Sequence, residues 1–202
     1  MNDKIISNLE STLSEYKDIG LLVSGGFDST LLTYLVHDLR EKNQTNNTFE
    51  FFTVPRYDDS VIHAKRIIDY IDNKFNKIPT EWHIVGNPDL HFTQQVSSGI
   101  SEALINFKFE VLLTGDNIVP PIDEVPGGPP RKRGDHPRLY KPFFDYTKDV
   151  MLQLCIDRGL TEIMEITHTC TESKTLRCNL CWQCRERAWA FKKCNYIDPG
   201  AM

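Results

Sequence analysis

The sequence contains no long hydrophobic run. No apolar stretch approaches the ~20 residues needed to span a membrane, so no spanning helix is expected. The opening residues, MNDKIISNLESTLSEYK, are too polar for a secretory signal, which points to the cytoplasm. Positive charge is not in excess. With 23 Lys and Arg against 28 Asp and Glu, the formal net charge is −5, which argues against non-specific nucleic-acid binding as the main task. There is no internal repeat and no phosphate-binding loop of the G-x-x-x-x-G-K-[ST] kind. What remains is an ordinary globular composition, 40% hydrophobic and 25% charged, in 202 residues, enough for one domain with a substantial core. In such a compartment the six cysteines read as metal ligands or free thiols rather than disulfides.

Periodicity then orders the chain. Ile5, Ile6, Leu9, Leu13 and Tyr16 recur at helical spacing, as do Leu31, Leu32, Leu35, Val36 and Leu39. Residues 61–75 and 96–107 continue the helical pattern. Short apolar runs at 19–23, 49–54, 82–85 and 111–115 read as strands, the second stopped by Pro55. A further helix follows Thr147, which is placed to cap it, and Gly159 ends it. Strands alternating with helices imply an α/β fold: a doubly wound, mainly parallel sheet with helices on both faces. Residues 1–160 are expected to form that unit and 161–202 a small C-terminal segment of the same compact body.

One stretch stands between the first strand and its helix: Ser24-Gly25-Gly26-Phe27-Asp28-Ser29. Glycines let backbone N–H groups approach a phosphate, and the helix start adds unpaired donors and a positive dipole end. Asp28 would repel a bare phosphate, so its presence makes sense with a divalent cation between them. The plainer alternative is a glycine turn with Asp28 or Ser29 as N-cap. The stretch resembles the SGG-x-DS signature of the PP-loop (N-type ATP pyrophosphatase) superfamily. That resemblance implies an adenine nucleotide alpha hydrolase-like fold, a pyrophosphate of ATP held by Ser24, Gly25, Gly26 and Ser29, and Mg²⁺ oriented by Asp28. It also implies attack on the α-phosphate with release of pyrophosphate. Thr114-Gly115-Asp116-Asn117 falls on the same rim of the sheet and resembles a glycine turn near the nucleotide in that superfamily, making Gly115 and Asp116 candidates. A solvated turn with a helix-capping Asp is the alternative.

From 116 to 142 the chain carries seven of its eleven prolines and the run Arg131-Lys132-Arg133. A stiff loop of this length suggests a lid bearing a cation for phosphate, or a solvated basic surface. Cys170, Cys178, Cys181 and Cys184 follow a C-x7-C-x2-C-x2-C pattern, four thiolates closing a tetrahedral structural site. Zinc is the expected metal, with an iron–sulfur cluster as the alternative. Arg177, Arg185 and Arg187 are placed to offset the thiolate charge. Cys155 and Cys194 read as spare thiols and His168 as an exposed polar residue.

The C-terminal third resembles 7-cyano-7-deazaguanine synthase. Pro142-Phe143, Thr147-Lys148-Asp149-Val150, Gly159-Leu160, Thr169-Cys170, the cysteine run, Arg187 and Ala190-Phe191 follow that family's order. With the Ser24–Ser29 loop, the likeness covers about half the chain. It implies an ammonia-adding ligase acting on a deazaguanine carboxylate, dependent on ATP, Mg²⁺ and Zn²⁺, with Lys148 stabilising phosphate charge and a homodimer as partner state. For Lys148 the alternative is a solvated first-turn lysine. Departures lie in the middle, where Ser97-Ser98-Gly99-Ile100 replaces an arginine–asparagine pair and the proline-rich loop replaces a tyrosine-to-arginine run. Two competing readings are a tRNA sulfur transferase and a non-catalytic zinc-bearing nucleotide sensor.

Overall fold

The computed structural model describes residues 2–75, 81–131, 133–134 and 136–200; Lys132 of the basic run lies outside the described residues. Seven helices and five strands appear among them. In chain order they are α1 Asn2–Glu15, β1 Asp18–Leu22, α2 Phe27–Lys42, β2 Thr48–Thr53, α3 Ser60–Lys74, β3 Glu81–Ile84, α4 Phe92–Asn106, β4 Val111–Leu113, β5 Leu139–Tyr140, α5 Lys148–Asp157, α6 Thr161–Ile166 and α7 Trp182–Lys193. The strands form one sheet in the order β3-β2-β1-β4-β5, and every pairing is parallel.

Alternation along the strands sorts the core onto two faces. Ile19, Leu21, Phe49, Phe51, Val111 and Leu113 join a cluster with residues of α1, α2, α3, α5, α6 and α7. Phe52, Val54, Phe109 and Leu112 face the other way and meet Ala103 and Leu104 of α4. Both faces are therefore covered, as parallel sheets require, though very unequally. Burial of each such Leu, Ile or Phe side chain contributes roughly 1.5–3 kcal/mol. α2 is the hub of the larger layer, packed on α1, α3, α5 and α6. Its buried hydroxyls are satisfied within the helix, Thr30 Oγ1 donating to Gly26 O at 2.7 Å and Thr33 Oγ1 to Ser29 O at 2.8 Å.

The fifth strand lies inside the stretch expected to be loop. Arg138 O and Tyr140 O accept from Leu112 and Thr114 amides, which attaches Leu139–Tyr140 to β4. α6 and α7 are also absent from the sequence reading, and α4 begins earlier than expected. α5 ends as anticipated: Gly159 has φ +67°, Leu160 N donates to Cys155 O and Gly159 N to Ile156 O, the paired bonds of a Schellman ending. Thr147 occupies the N-cap position, but its hydroxyl goes to the Asp149 carboxylate rather than to the backbone.

The strand order fixes where a ligand would lie. The chain leaves β1 toward β2 and β3, then returns to place β4 on the other side of β1. Loops after β1 and β4 therefore diverge, opening a crevice beyond the carboxyl ends of those strands.

Candidate active site

Both loops at that crevice were singled out by sequence. Gly26, not Asp28 or Ser29, is the N-cap of α2 and makes no side-chain cap bond, so the plain N-cap reading of the two side chains does not hold. Ser24 Oγ and Ser29 Oγ lie 3.0 Å apart, and Ser29 Oγ accepts from Ser24 N at 3.2 Å. The hydroxyls thus fold the loop back on the first turn, whose N–H groups have no acceptor within the helix. Gly25 has φ +78°, and a Cβ there would stand 2.3 Å from His63 Cβ, so both conformation and space demand glycine. Gly25 O accepts from His168 N at 2.9 Å. His168 is not the exposed residue expected: its ring stacks on His63 at 4.0 Å.

After β4, Gly115 touches the start of α2. A Cβ at this position would lie 2.6 Å from Ser29 N and 2.7 Å from Asp28 C. The glycine is thus required by close approach of the two loops, not by a solvated turn. Asp116 caps no helix; Lys141 Nζ lies 2.6 Å from its Oδ2 and Arg131 Nη1 3.6 Å from its Oδ1.

The strongest charge cluster joins three elements. Lys148, the first residue of α5, is 4% exposed. Its Nζ lies 2.9 Å from Asp28 Oδ2 and 2.8 Å from Glu186 Oε2 of α7, so it is not a solvated first-turn lysine. Two carboxylates outweigh the unfavourable helix dipole. Glu186 is fully buried, and Asn117 Nδ2 donates to its Oε1 at 3.3 Å. Burial pushes the Asp28 carboxyl up; Lys148 draws it down and Glu186 pushes it up again, leaving it above the ordinary carboxylate value. Burial draws Lys148 down, but the two carboxylates prevail and hold it above its usual value. Asp28 Oδ1 is buried and has no hydrogen-bond partner among the described residues. An unpartnered carboxylate oxygen beside a glycine loop at a helix start fits a divalent cation. Glu186 and Asn117 were not singled out by sequence. Glu186 lies between Arg185 and Arg187, where it reads as part of a solvated charge run.

The basic run divides. Arg131 turns inward, over the Trp182 ring at 5.7 Å from guanidinium carbon to centroid. Arg133 pairs with Asp145 and lies over Phe144. The arginines expected to offset thiolate charge are also largely committed elsewhere. Arg187 is buried and makes five hydrogen bonds, to Asp198 twice, Thr167, Thr169 and Met164 O. Arg177 shares Asp198, and Arg185 donates to Pro126 O.

The four cysteines do come together. The sulfurs of Cys170, Cys178, Cys181 and Cys184 all lie within 4.8 Å of one another, an arrangement that could hold a metal ion. Amide donors from Cys181 and Leu180 pull the Cys178 thiol down to about 7, whereas burial pushes Cys170 and Cys184 up. Cys181 is the N-cap of α7, so the centre is built on the helix that presents Glu186 to Lys148. Cys155 and Cys194 lie apart; burial raises them to about 12 and about 11. A cavity of about 250 Å³ near Tyr16, Val111 and Tyr140 has no residue of Ser24–Ser29, and not Lys148, in its lining.

The fold and crevice define an adenine nucleotide alpha hydrolase-like architecture. NMN synthetase from Francisella tularensis superposes with a TM-score of 0.52 and 14% identity, covering 96% of this chain and 92% of that one, a likeness of fold. NAD+ synthetase from Burkholderia pseudomallei gives 0.46 and 13%, covering 95% and 82%. U34-tRNA thiolase NcsA from Methanococcus maripaludis, described with its [4Fe-4S] cluster, gives 0.44 and 15%, covering 94% and 72%. These two are too loose to carry an argument. No family model and no curated protein matches the sequence. No helix among the described residues is long and apolar enough to cross a membrane.

Proposed function

We propose that the chain is an ATP-dependent, AMP- and pyrophosphate-forming ligase that adenylates a carboxylate and then adds ammonia. The model reaction is 7-carboxy-7-deazaguanine to 7-cyano-7-deazaguanine. The observation that carries the reading is Asp28 at the mouth of the loop, with Oδ2 on buried Lys148 and Oδ1 without a partner among the described residues. In this reading Ser24, Gly25, Gly26 and Ser29 cradle the pyrophosphate portion of ATP. The acceptor carboxylate attacks the α-phosphorus and the bond to the pyrophosphate oxygen breaks. Ammonia then displaces AMP from the acyl carbon, giving an amide. The amide oxygen then attacks the α-phosphorus of a second ATP, releasing pyrophosphate and one amide proton, and loss of AMP with the remaining N–H proton leaves the nitrile. Lys148 stabilises charge that develops on the phosphates, and Glu186 keeps Lys148 directed at Asp28. Mg²⁺ held by Asp28 would neutralise the departing pyrophosphate.

The four thiolates suit zinc in a closed structural site. Zn–S bonds of ~2.3 Å at tetrahedral angles place sulfurs about 3.8 Å apart, compatible with the grouping observed. A cubane cluster puts each thiolate on a separate iron and spreads them further. A deazaguanine-type acid and ammonia as partners, a cytoplasmic location and a homodimer belong to the same proposal.

The test is pyrophosphate release with ATP, Mg²⁺ and ammonium, with and without 7-carboxy-7-deazaguanine, alongside metal analysis. Stimulation by that acid and one zinc per chain are expected. Stimulation by a different carboxylate instead would reject the acceptor and spare the adenylation.

A further inference from the structure

The strap between β4 and β5 is fixed before it reaches Arg131. Glu124 accepts from Trp189 Nε1 at 2.8 Å and pairs with Lys193 at 2.6 Å. Val125 is 4% exposed, and Pro126 O accepts from Arg185 at 3.2 Å. The backbone at Gly128 lies on the Trp182 indole, so that a Cβ there would stand 3.0 Å from Nε1. Three residues later Arg131 arrives with little freedom of approach. Its guanidinium rests over Trp182, a favourable seat for a planar cation.

Arg131 is incompletely engaged at that place. Its contact with Asp116 is 3.6 Å, beyond hydrogen-bond range, while Lys141 already occupies Asp116 at 2.6 Å. Its Nε is buried and has no hydrogen-bond partner among the described residues, as is also true of Trp182 Nε1. Its contact Asp116 directly follows Gly115, which lies against Ser29 N and Asp28 C at the start of α2, so the guanidinium stands beside the same crevice as the loop. Among the described residues of the basic run, Arg133 by contrast points to Asp145 and is exposed.

We infer that Arg131 is a binding residue for the β- and γ-phosphates of the nucleotide, delivered in fixed geometry by the strap on α7. A guanidinium fork matches phosphate oxygens in pairs, and its spare donors are left for such a ligand. Asp116 holds the side chain loosely until the polyphosphate takes it. This makes the strap up to Arg131 an anchored arm rather than a swinging lid. The inference rests on the nucleotide reading above, and the experiment separates the two.

Full-length protein, R131A, R131K and R133A are titrated calorimetrically in Mg²⁺ with ATP, inorganic pyrophosphate and AMP. Thermal melting checks that the strap, held by Glu124 and Val125, stays folded. R131A should bind ATP and pyrophosphate about ten-fold or more weakly, with AMP within about two-fold; R131K should recover only part, and R133A should match wild type. Unchanged ATP and pyrophosphate affinity in R131A would overturn the inference while leaving the nucleotide reading intact. An equal loss for AMP would overturn it too, because Arg131 would then not be selective for the β- and γ-phosphates. Wild-type protein that binds neither ATP nor pyrophosphate would overturn both.

Discussion

Lys148 sits between Asp28 and Glu186, almost out of contact with water. A buried cation between two carboxylates makes removal of the cation the costly change, since both negative charges are then left without compensation. Lys148→Met should therefore lose about 3–5 kcal/mol of stability in urea unfolding. Glu186→Gln, which keeps an acceptor for Lys148, should lose only about 1–3 kcal/mol. A Lys148→Met protein as stable as wild type would contradict the triad. Asp28 and Lys148 were candidates because each stands in a stretch that carries a family resemblance, and the structure brings the two side chains together. Glu186 was not, because nothing local separates it from a solvated helix face; its role exists only once α7 lies against α5. His37 gives a second residue-scale prediction. It is buried among Phe49, Phe51 and Phe75, and burial pulls its imidazole down to about 4. The folded state thus favours the neutral ring. That stability is present above the ordinary histidine value near ~6.5 and is lost as pH falls toward about 4, by roughly 3 kcal/mol in total. Unfolding free energies at pH 7, 5.5 and 4 should show this decline in wild type and a shallower one in His37→Phe. Parallel curves would contradict it.

At the scale of elements, α7 couples the thiolate centre to the loop. Cys181 caps it, Cys184 lies in its first turn, Trp182 seats the strap and Glu186 holds Lys148. Chelating the metal proposed for the four cysteines, or Cys181→Ala, should loosen the start of this helix before the sheet is affected. Hydrogen exchange should rise over 178–190 while β1 and β2 stay protected, and ATP affinity should fall with it. Unaltered exchange in 178–190 after complete metal removal would contradict the coupling. The same helix shows why some elements were illegible. Its buried side chains include Cys184, Glu186 and Arg187, so the inward face is partly polar and the apolar period is broken. β5 is two residues between Pro137 and Pro142, too short for any alternation, and exists because β4 offers it a free edge. Strands β1, β2 and β4, by contrast, are buried apolar runs with clear stops, and they lie within a residue or two of where the sequence placed them. The departure at Ser97 to Ile100 also has a structural side. A Cβ at Gly99 would stand 2.3 Å from Val54 Cγ2, so this stretch closes α4 onto the smaller core.

For the whole molecule, the decisive feature is the order β3-β2-β1-β4-β5, which puts the loops of β1 and β4 at one crevice. The sequence conveyed alternating strands and helices, hence a parallel sheet, but no local pattern states which strand returns beside β1. That information lies in long-range pairing, as between Leu21 and Leu113. The crevice then gathers Ser24, Asp28, Asp116, Arg131, Lys148 and Glu186 from segments far apart in the chain. Together they provide amide and hydroxyl donors, a carboxylate with one oxygen unpartnered among the described residues, and two cations, the set on which the proposed splitting of ATP between its α- and β-phosphates rests. The most direct measurement is phosphorus NMR of ATP turnover with Mg²⁺, ammonium and 7-carboxy-7-deazaguanine, in wild type and in Asp28→Ala. AMP and pyrophosphate in equal amounts from wild type, with neither from a folded Asp28→Ala protein, is the predicted result. ADP and phosphate, or undiminished turnover in the variant, would contradict it.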